Sequence, residues 1–569
     1  MGKKEKKSPV FAGDPPSSDT MYDYRSDKVF LQYSNQQLPF GTARTNSTLD
    51  AYAGPWTRTE VIHLLRRTMF GLRNTDINSL LALSPGSAVD LLIDSIPSVA
   101  PVPPLNNYNA TYNDTTGVLP GQTWVNAEYG DGTLNFQRLY SFKSWWISLM
   151  IEEPLNMREK MVLFWHNHFA TESLAIETAR NVYNHNALLR QFAFGSFKDM
   201  VKAVTLDPGM LRYLNGDKNT ANSPDENYGR ELQELFTIGV GNNPNYTQDD
   251  VSAAAKVLTG WRINKFSTFF DPNQHSKVDK QFSAFYGNTV IKYASGNDGA
   301  FETDALIDMI FSKVEAAKHI CRALYRFFVY YAIDTNVEST VISGLAQTLI
   351  ANNFEMKPVV KQLLKSTHFF DPLNQGCYIK SPLDFLAGTF KTFGLQISTG
   401  LTVETRYKAF NFVRSYGQIL AQDLGDPPNV AGWPAFHQYP EYYQAWINSN
   451  TLPKRLIFTD SLLGSGGVNM SGTVIKIDSV AFAAQCPNAD DPDLLVNFFV
   501  ELLLAVPLSA TKKSNLKSIL LSNQSTNSYW TTAWGSYIIN PIPANDSIVR
   551  SRLNPLLLEL TRLAEHQLA

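Results

Sequence analysis

The amino-acid sequence predicts a mainly α-helical fold: a large multi-helix globule with a small β or irregular insertion and a C-terminal helical subdomain. Three observations carry this. Apolar residues recur at three- and four-residue spacing along most of the 569-residue chain. Capping residues stand where these stretches begin, and glycines where they stop. No repeat of solenoid period competes with the pattern.

Taken in order, residues 1–54 read as a tail and an extended arm. Lys3, Lys4, Lys6 and Lys7 precede a Pro/Ser/Asp-rich stretch with no apolar run behind the charges, so they form no secretory signal. Lys6 stands where myristoylation at Gly2 needs Ser or Thr. From residue 21 the chain gains Tyr, Phe and Leu without period, as an arm lying on the body would. The helical core spans 55–463. A helix opens at Thr57 or Thr59, another at Asn74 or Thr75, and a third covers about 87–96. Residues 99–135, rich in Pro, Asn, Gly and Thr, form a long irregular insertion. Helices follow at 134–153, 156–174, 176–193, 197–206 and 208–214.

Residues 223–261 are the densest stretch. Ser223 reads as an N-cap, Pro224 as the first helical residue and Glu226 as the capping-box acid, with Gly239 ending the helix. Thr247 caps a second helix, Asp250 takes the box position and Gly260 ends it, giving an α-hairpin. The segment 262–300, with its β-branched patch near 286–293, is the best place for a small β-element. Helices resume at 302–331, 336–353, 356–367, 382–393 and 404–421. A Gly/Pro/aromatic loop over 425–446 and a Gly464–Gly467 linker lead to the C-terminal subdomain, 468–569. That unit has helices at 489–506, 510–522 and 546–568, and Leu553, Leu556, Leu557, Leu560 and Leu563 make a core stripe.

Composition narrows the function classes. With 44% hydrophobic and 12% aromatic residues the chain can bury a large core. A net charge of −3 offers no basic field for nucleic acid. Cys321, Cys377 and Cys486 match no metal or redox spacing. The longest apolar run, 494–508, is broken by Asn497, Glu501 and Pro507, so no transmembrane segment is expected. No Gly-x-Ser-x-Gly elbow, P-loop or dinucleotide fingerprint occurs, which removes serine-hydrolase and nucleotide readings. A cytoplasmic location is the default.

Three constellations carry candidate chemistry. His166 and His168 make a metal pair if extended. On a helix they point about 200° apart, so that one faces a site while the other anchors the fold. Asn227, Glu231 and Glu234 share a helix face that suits a divalent metal or a general base. Arg230 pairs with Glu226 or Glu234 at i±4, the bland alternative of a solvated ion-pair row. His275, on a polar loop after the hairpin, is placed to swing over the carboxylates; the alternative is a loop held by aromatic packing. The Asp426–Pro434 corner displays Trp433 among Phe436, Tyr439, Tyr442, Tyr443 and Trp446, a platform for a sugar or a partner's side chain.

The run Pro224-Asp225-Glu226-Asn227-Tyr228-x-Arg230-Glu231-Leu232-x-Glu234-Leu235-Phe236 resembles the bacterial domain-of-unknown-function family numbered 1800. So do His63 to Arg67 with Phe70-Gly71, Trp165 to Thr171, Tyr325 to Phe328, Lys380-Ser381-Pro382 and Pro427 to Pro434. The likeness runs from about Trp56 to Arg455. Ser276 stands where the family commonly has an acid after the histidine, and Asp225 where it usually has Asn. The resemblance implies a helical scaffold or accessory subunit, since such proteins accompany a sulfatase-like family numbered 1501 whose members carry export signals. Export with that partner, or action at the envelope, follows by analogy. The alternative from the residues is a metal-assisted hydrolase. It would use His166, His168, Glu231 and His275 as ligands, Asn227, Glu231 and His275 in catalysis, and Arg230, Glu234 and Trp433 in binding.

Overall fold

The computed structural model describes residues 44–240, 245–433 and 444–569. The expected tail and most of the arm (1–43), Pro434, Phe436, Tyr439, Tyr442 and Tyr443 lie outside them. Where the arm is described it is bonded to the body: Thr367 N donates to Asp50 O at 2.8 Å and His368 N to Thr48 O at 2.9 Å.

Helices dominate, and the sheet among the described residues is three antiparallel hairpins. Two lie in the segment expected to hold β structure: Trp261–Asn264 with Ser267–Phe270, and Lys280–Gln281 with Val290–Ile291. The third, Val468–Met470 with Thr473–Ile475, follows the glycine linker and turns at Ser471-Gly472. Thr57 caps the helix Arg58–Thr68 in a full capping box with Glu60. Gly71, at φ 83°, then lets the chain turn against the helix Pro382–Thr392. A Cβ there would stand 2.5 Å from the Cα of Gly388, so only glycine permits this backbone contact. The irregular insertion packs inward: Trp124 is fully buried, and Asp114 pairs with Arg138 at 3.0 Å, both out of solvent.

Several expected elements differ. The helix expected over 302–331 is two helices, Phe301–Phe311 and Val314–Phe328. The one expected over 336–353 starts as a π-helix, Val337–Ile342, before Ser343–Ala351. Ser528–Ile539 is a helix that local pattern does not reveal: its Trp, Tyr, Thr and Ile residues are weak helix formers, and burial of Trp530 and Trp534 holds it.

The hairpin at 223–261 forms with a shifted start. Ser223 makes an isolated bridge with Thr220, and Asp225 is the N-cap, accepting from Asn227 N at 2.8 Å. Glu226, freed from the capping role, instead accepts from Gln248 Nε2 at 2.6 Å and from Ser252, tying the two helices together. The α-helix Glu226–Glu231 continues as a π-helix, Leu232–Thr237. Gly229 faces the second helix, Gln248–Val257, so closely that a Cβ would lie 3.1 Å from Ala255 N.

One apolar cluster runs from Val61 in the first helix to Leu560 in the last long one, Pro543–Arg562. The C-terminal helices meet the body through it. Arg66 Nη2 donates to the carbonyls of Glu501 and Leu502, both at 3.1 Å, and the Phe393 and Phe482 rings lie 4.7 Å apart. The three cysteines are free thiols. Among the described residues no helix is long and apolar enough to cross a membrane.

Candidate functional site

His166 and His168 sit on the helix Arg158–His168, which directs them to different neighbourhoods. His166 lies edge-on between Trp146 and Trp433, at 5.1 and 5.5 Å between ring centroids. Its Nε2 is buried with no hydrogen-bond partner. His168 Nε2 donates to Phe236 O at 3.0 Å, and His319 Nε2 donates to Leu235 O at 2.7 Å. These consecutive carbonyls belong to the π-helix, so two imidazoles satisfy acceptors in its altered ladder. Burial pushes both rings down to about 3, His168 further through His319 and His166 through His185. Both are neutral at neutral pH.

The acids of the hairpin are buried. Glu231 has no exposed surface and Glu234 is 8% exposed. Arg230 pairs with Glu226 at 3.0 Å, as the i,i+4 spacing predicts. Asn227 Nδ2 donates to Leu214 O at 3.3 Å, bracing the residue after Tyr213. The hydroxyl of Tyr246 is pushed up by burial and by the charge of Glu234, with Glu231 adding to it.

Tyr213 ends the short helix Pro208–Tyr213 and is the focus of a second set of acids. Its hydroxyl donates to Glu172 Oε1 at 3.3 Å. Burial, then the charges of Glu172, Glu231 and Asp426, holds that hydroxyl protonated far beyond its ordinary range. Three carboxylates from distant parts of the sequence thus act on one phenol, Glu172 through a hydrogen bond and the other two through their charge. Glu172 is pushed up by burial and by the charge of Asp426. Asp426 is pulled down: burial opposes its ionisation, but Lys143 and the hydrogen bond from the Ser173 N–H outweigh it. Ser173 N donates to Asp426 Oδ1 at 2.6 Å and to Gly425 O at 3.2 Å, which docks the 423–426 turn. Lys143 also faces Asp423 at 3.5 Å, and Arg414 holds Asp423 at 3.3 Å.

Around this centre several buried donors are unused among the described residues. His166 Nε2, Ser173 Oγ and Trp433 Nε1 make no hydrogen bond, and all three residues are at least nine-tenths buried. A buried unpaired polar atom costs roughly 1–3 kcal/mol. Three beside one carboxylate cluster mark a place where a ligand or water completes the bonding. Trp433 was expected on display, yet it is 1% exposed. Its backbone N–H donates to Asn167 Oδ1 at 2.9 Å, which folds the Pro-Pro-Asn-Val-Ala-Gly-Trp corner onto the His166 helix.

His275 belongs elsewhere. Its Nδ1 bonds Thr259 O at 2.8 Å, its Nε2 faces Glu302 Oε1 at 3.1 Å, and Lys280 bonds Glu302 directly. Glu302, from the helix after the β-hairpins, supplies the carboxylate that Ser276 cannot. The expected set of His166, His168, Glu231 and His275 therefore does not gather. Each histidine has a different environment, and among the described residues no three His, Cys, Asp or Glu side chains could hold a metal ion together. Sequence reading missed Glu172, Ser173, Tyr213 and Asp426 as site residues because no local spacing joins them. The available signal was that Asp426 opens the Pro-Pro corner and Glu172 and Ser173 follow the Trp165 to Thr171 run; nothing in the sequence pointed to Tyr213.

A family model described as "Protein of unknown function (DUF1800)" matches residues 63–558, crossing the glycine linker into the C-terminal helices. No curated protein and no solved structure matches the chain.

Proposed function

The chain belongs to the DUF1800 family of unknown function, and from that premise we propose that it is a carboxylate-based acid–base enzyme hydrolysing a C–O bond. The observation that supports this is the pair Glu172 and Asp426, driven in opposite directions around Tyr213. Environments that separate two carboxyl groups in this way assign an acid and a base. Glu172, which burial and Asp426 push up so that it holds its proton to higher pH than an exposed glutamate, donates a proton to the leaving oxygen. Asp426, kept ionised beside Lys143, takes a proton from the attacking water, so the bond is replaced by two hydroxyl groups and the protons balance. Glu231 and Tyr213 hold the electrostatic surroundings.

This reading replaces a His/Glu metal centre with carboxylates and needs no exported partner. The test is a panel of aryl glycosides and aryl esters with wild-type protein and the variants Glu172→Gln and Asp426→Asn. Turnover with a bell-shaped pH profile, reduced at least about 100-fold in each variant while the far-UV spectrum is kept, supports it. Turnover unchanged in both variants contradicts it. Absence of turnover together with stoichiometric co-purification of a sulfatase-like exported protein favours the accessory-subunit reading instead.

A further inference from the structure

A second polar region lies at the seam where the C-terminal helices meet the body, away from the carboxylate centre. We propose that this seam binds one small monovalent inorganic anion, of chloride size, between Arg66, Lys380 and His566.

Two small cavities, of about 30 and about 20 Å³, share Arg66, Asp384 and Ala569 in their walls, and Lys380 and His566 line the larger one. A site for a single water needs about 10–15 Å³, so the larger cavity takes one ion of modest size and excludes sulfate or phosphate with their oxygens. Arg66 and Lys380 bring their charges to its wall. Lys380 Nζ donates to His566 O at 2.6 Å, leaving further N–H groups. His566 is neutral and directs a ring hydrogen bond to the Thr561 backbone, so it lines the cavity without adding a charge. Arg455, fully buried behind the cavity wall, reaches Lys380 O at 2.9 Å and Gln567 Oε1 at 3.4 Å.

The nearby carboxylates are already engaged. Asp384 binds Lys160 and accepts from Ser381 Oγ at 2.9 Å, and Glu501 pairs with Arg58 at 2.7 Å. Arg66, Lys380 and Arg455 therefore face one another with donors in excess. Burial, then the charges of Arg66 and Arg455, pushes Lys380 down to about 7, and burial with all three cations holds His566 neutral. A bound monovalent anion offsets this repulsion and gives the remaining Lys380 N–H groups an acceptor.

The test uses the full chain in sodium gluconate at pH 6.5, exchanging gluconate for chloride or bromide at constant ionic strength. The expected result is a melting temperature that rises and saturates with halide, with a smaller rise at pH 8.5 where Lys380 is neutral. Lys380→Met is expected to abolish the halide dependence. Should that variant fail to fold, crystals of the wild type in bromide carry the test through one anomalous peak in the cavity. Equal melting temperatures in gluconate and chloride, or a cavity without a bromide peak, overturn the proposal and leave the protein's own carboxylates as the counter-charge.

Discussion

His63, His166 and His168 are each buried and pushed down to about 3, so each is neutral in the folded protein at the pH where it titrates in an unfolded chain. Unfolding therefore takes up protons between about pH 6.5 and pH 3. Their contribution to stability is complete above pH 6.5 and is lost as the pH falls through that window, on the order of a few kcal/mol per ring. Urea midpoints measured from pH 7 to pH 4 are expected to drop, and His168→Gln, which keeps a donor for Phe236 O, is expected to reduce the slope. An unchanged slope in that variant would show that His168 is not the titrating group. This residue scale is where the site was least legible. The 200° separation of His166 and His168 on a helix follows from spacing alone, but their burial among Trp146, Trp433 and Phe236 depends on contacts with other elements of the chain. Glu172 and Asp426 give no local sign of being neighbours.

The hairpin shows what punctuation reveals about an element and what it hides. Thr247 and Asp250 act as read, because a capping box is a local device, whereas the helix stops at Val257, ahead of Gly260, whose positive φ serves the turn into the first strand. Ser223 loses the cap to Asp225, since both fit the rule and tertiary contacts choose between them. The π-helix after Glu231 was not legible: an extra residue in the turn is held by Gln233, which donates to Gly229 O at 3.0 Å and accepts from Tyr286 at 2.8 Å. Gln233→Leu leaves the buried Tyr286 hydroxyl unsatisfied and is expected to cost about 1–3 kcal/mol by chemical denaturation. Gly229→Ala presses on the backbone of the facing helix, and a comparable loss of about 1–3 kcal/mol is expected in the same assay. If both variants match wild type, the packing described for this hairpin is wrong.

Across the molecule, the apolar cluster ignores the glycine linker. The helical class was readable because amphipathic spacing repeats through most of the chain. The closeness of the two parts was not, because Arg66 with Glu501 and Ile379 with Leu568 join residues far apart in sequence. Calorimetry is expected to give one cooperative transition, and a chain ended after Leu463 is expected to lose it by exposing Phe393 and the Arg66 helix. Two separable transitions would instead mark independent units. The centre proposed here depends on Glu172 being protonated where other carboxyl groups are not, and pH-resolved carbodiimide labelling read by mass spectrometry measures that directly. The account predicts that Glu172 stays reactive to higher pH than exposed glutamates, and that Asp426→Asn brings its midpoint back toward theirs. A Glu172 midpoint equal to that of exposed glutamates, unmoved by Asp426→Asn, would contradict it.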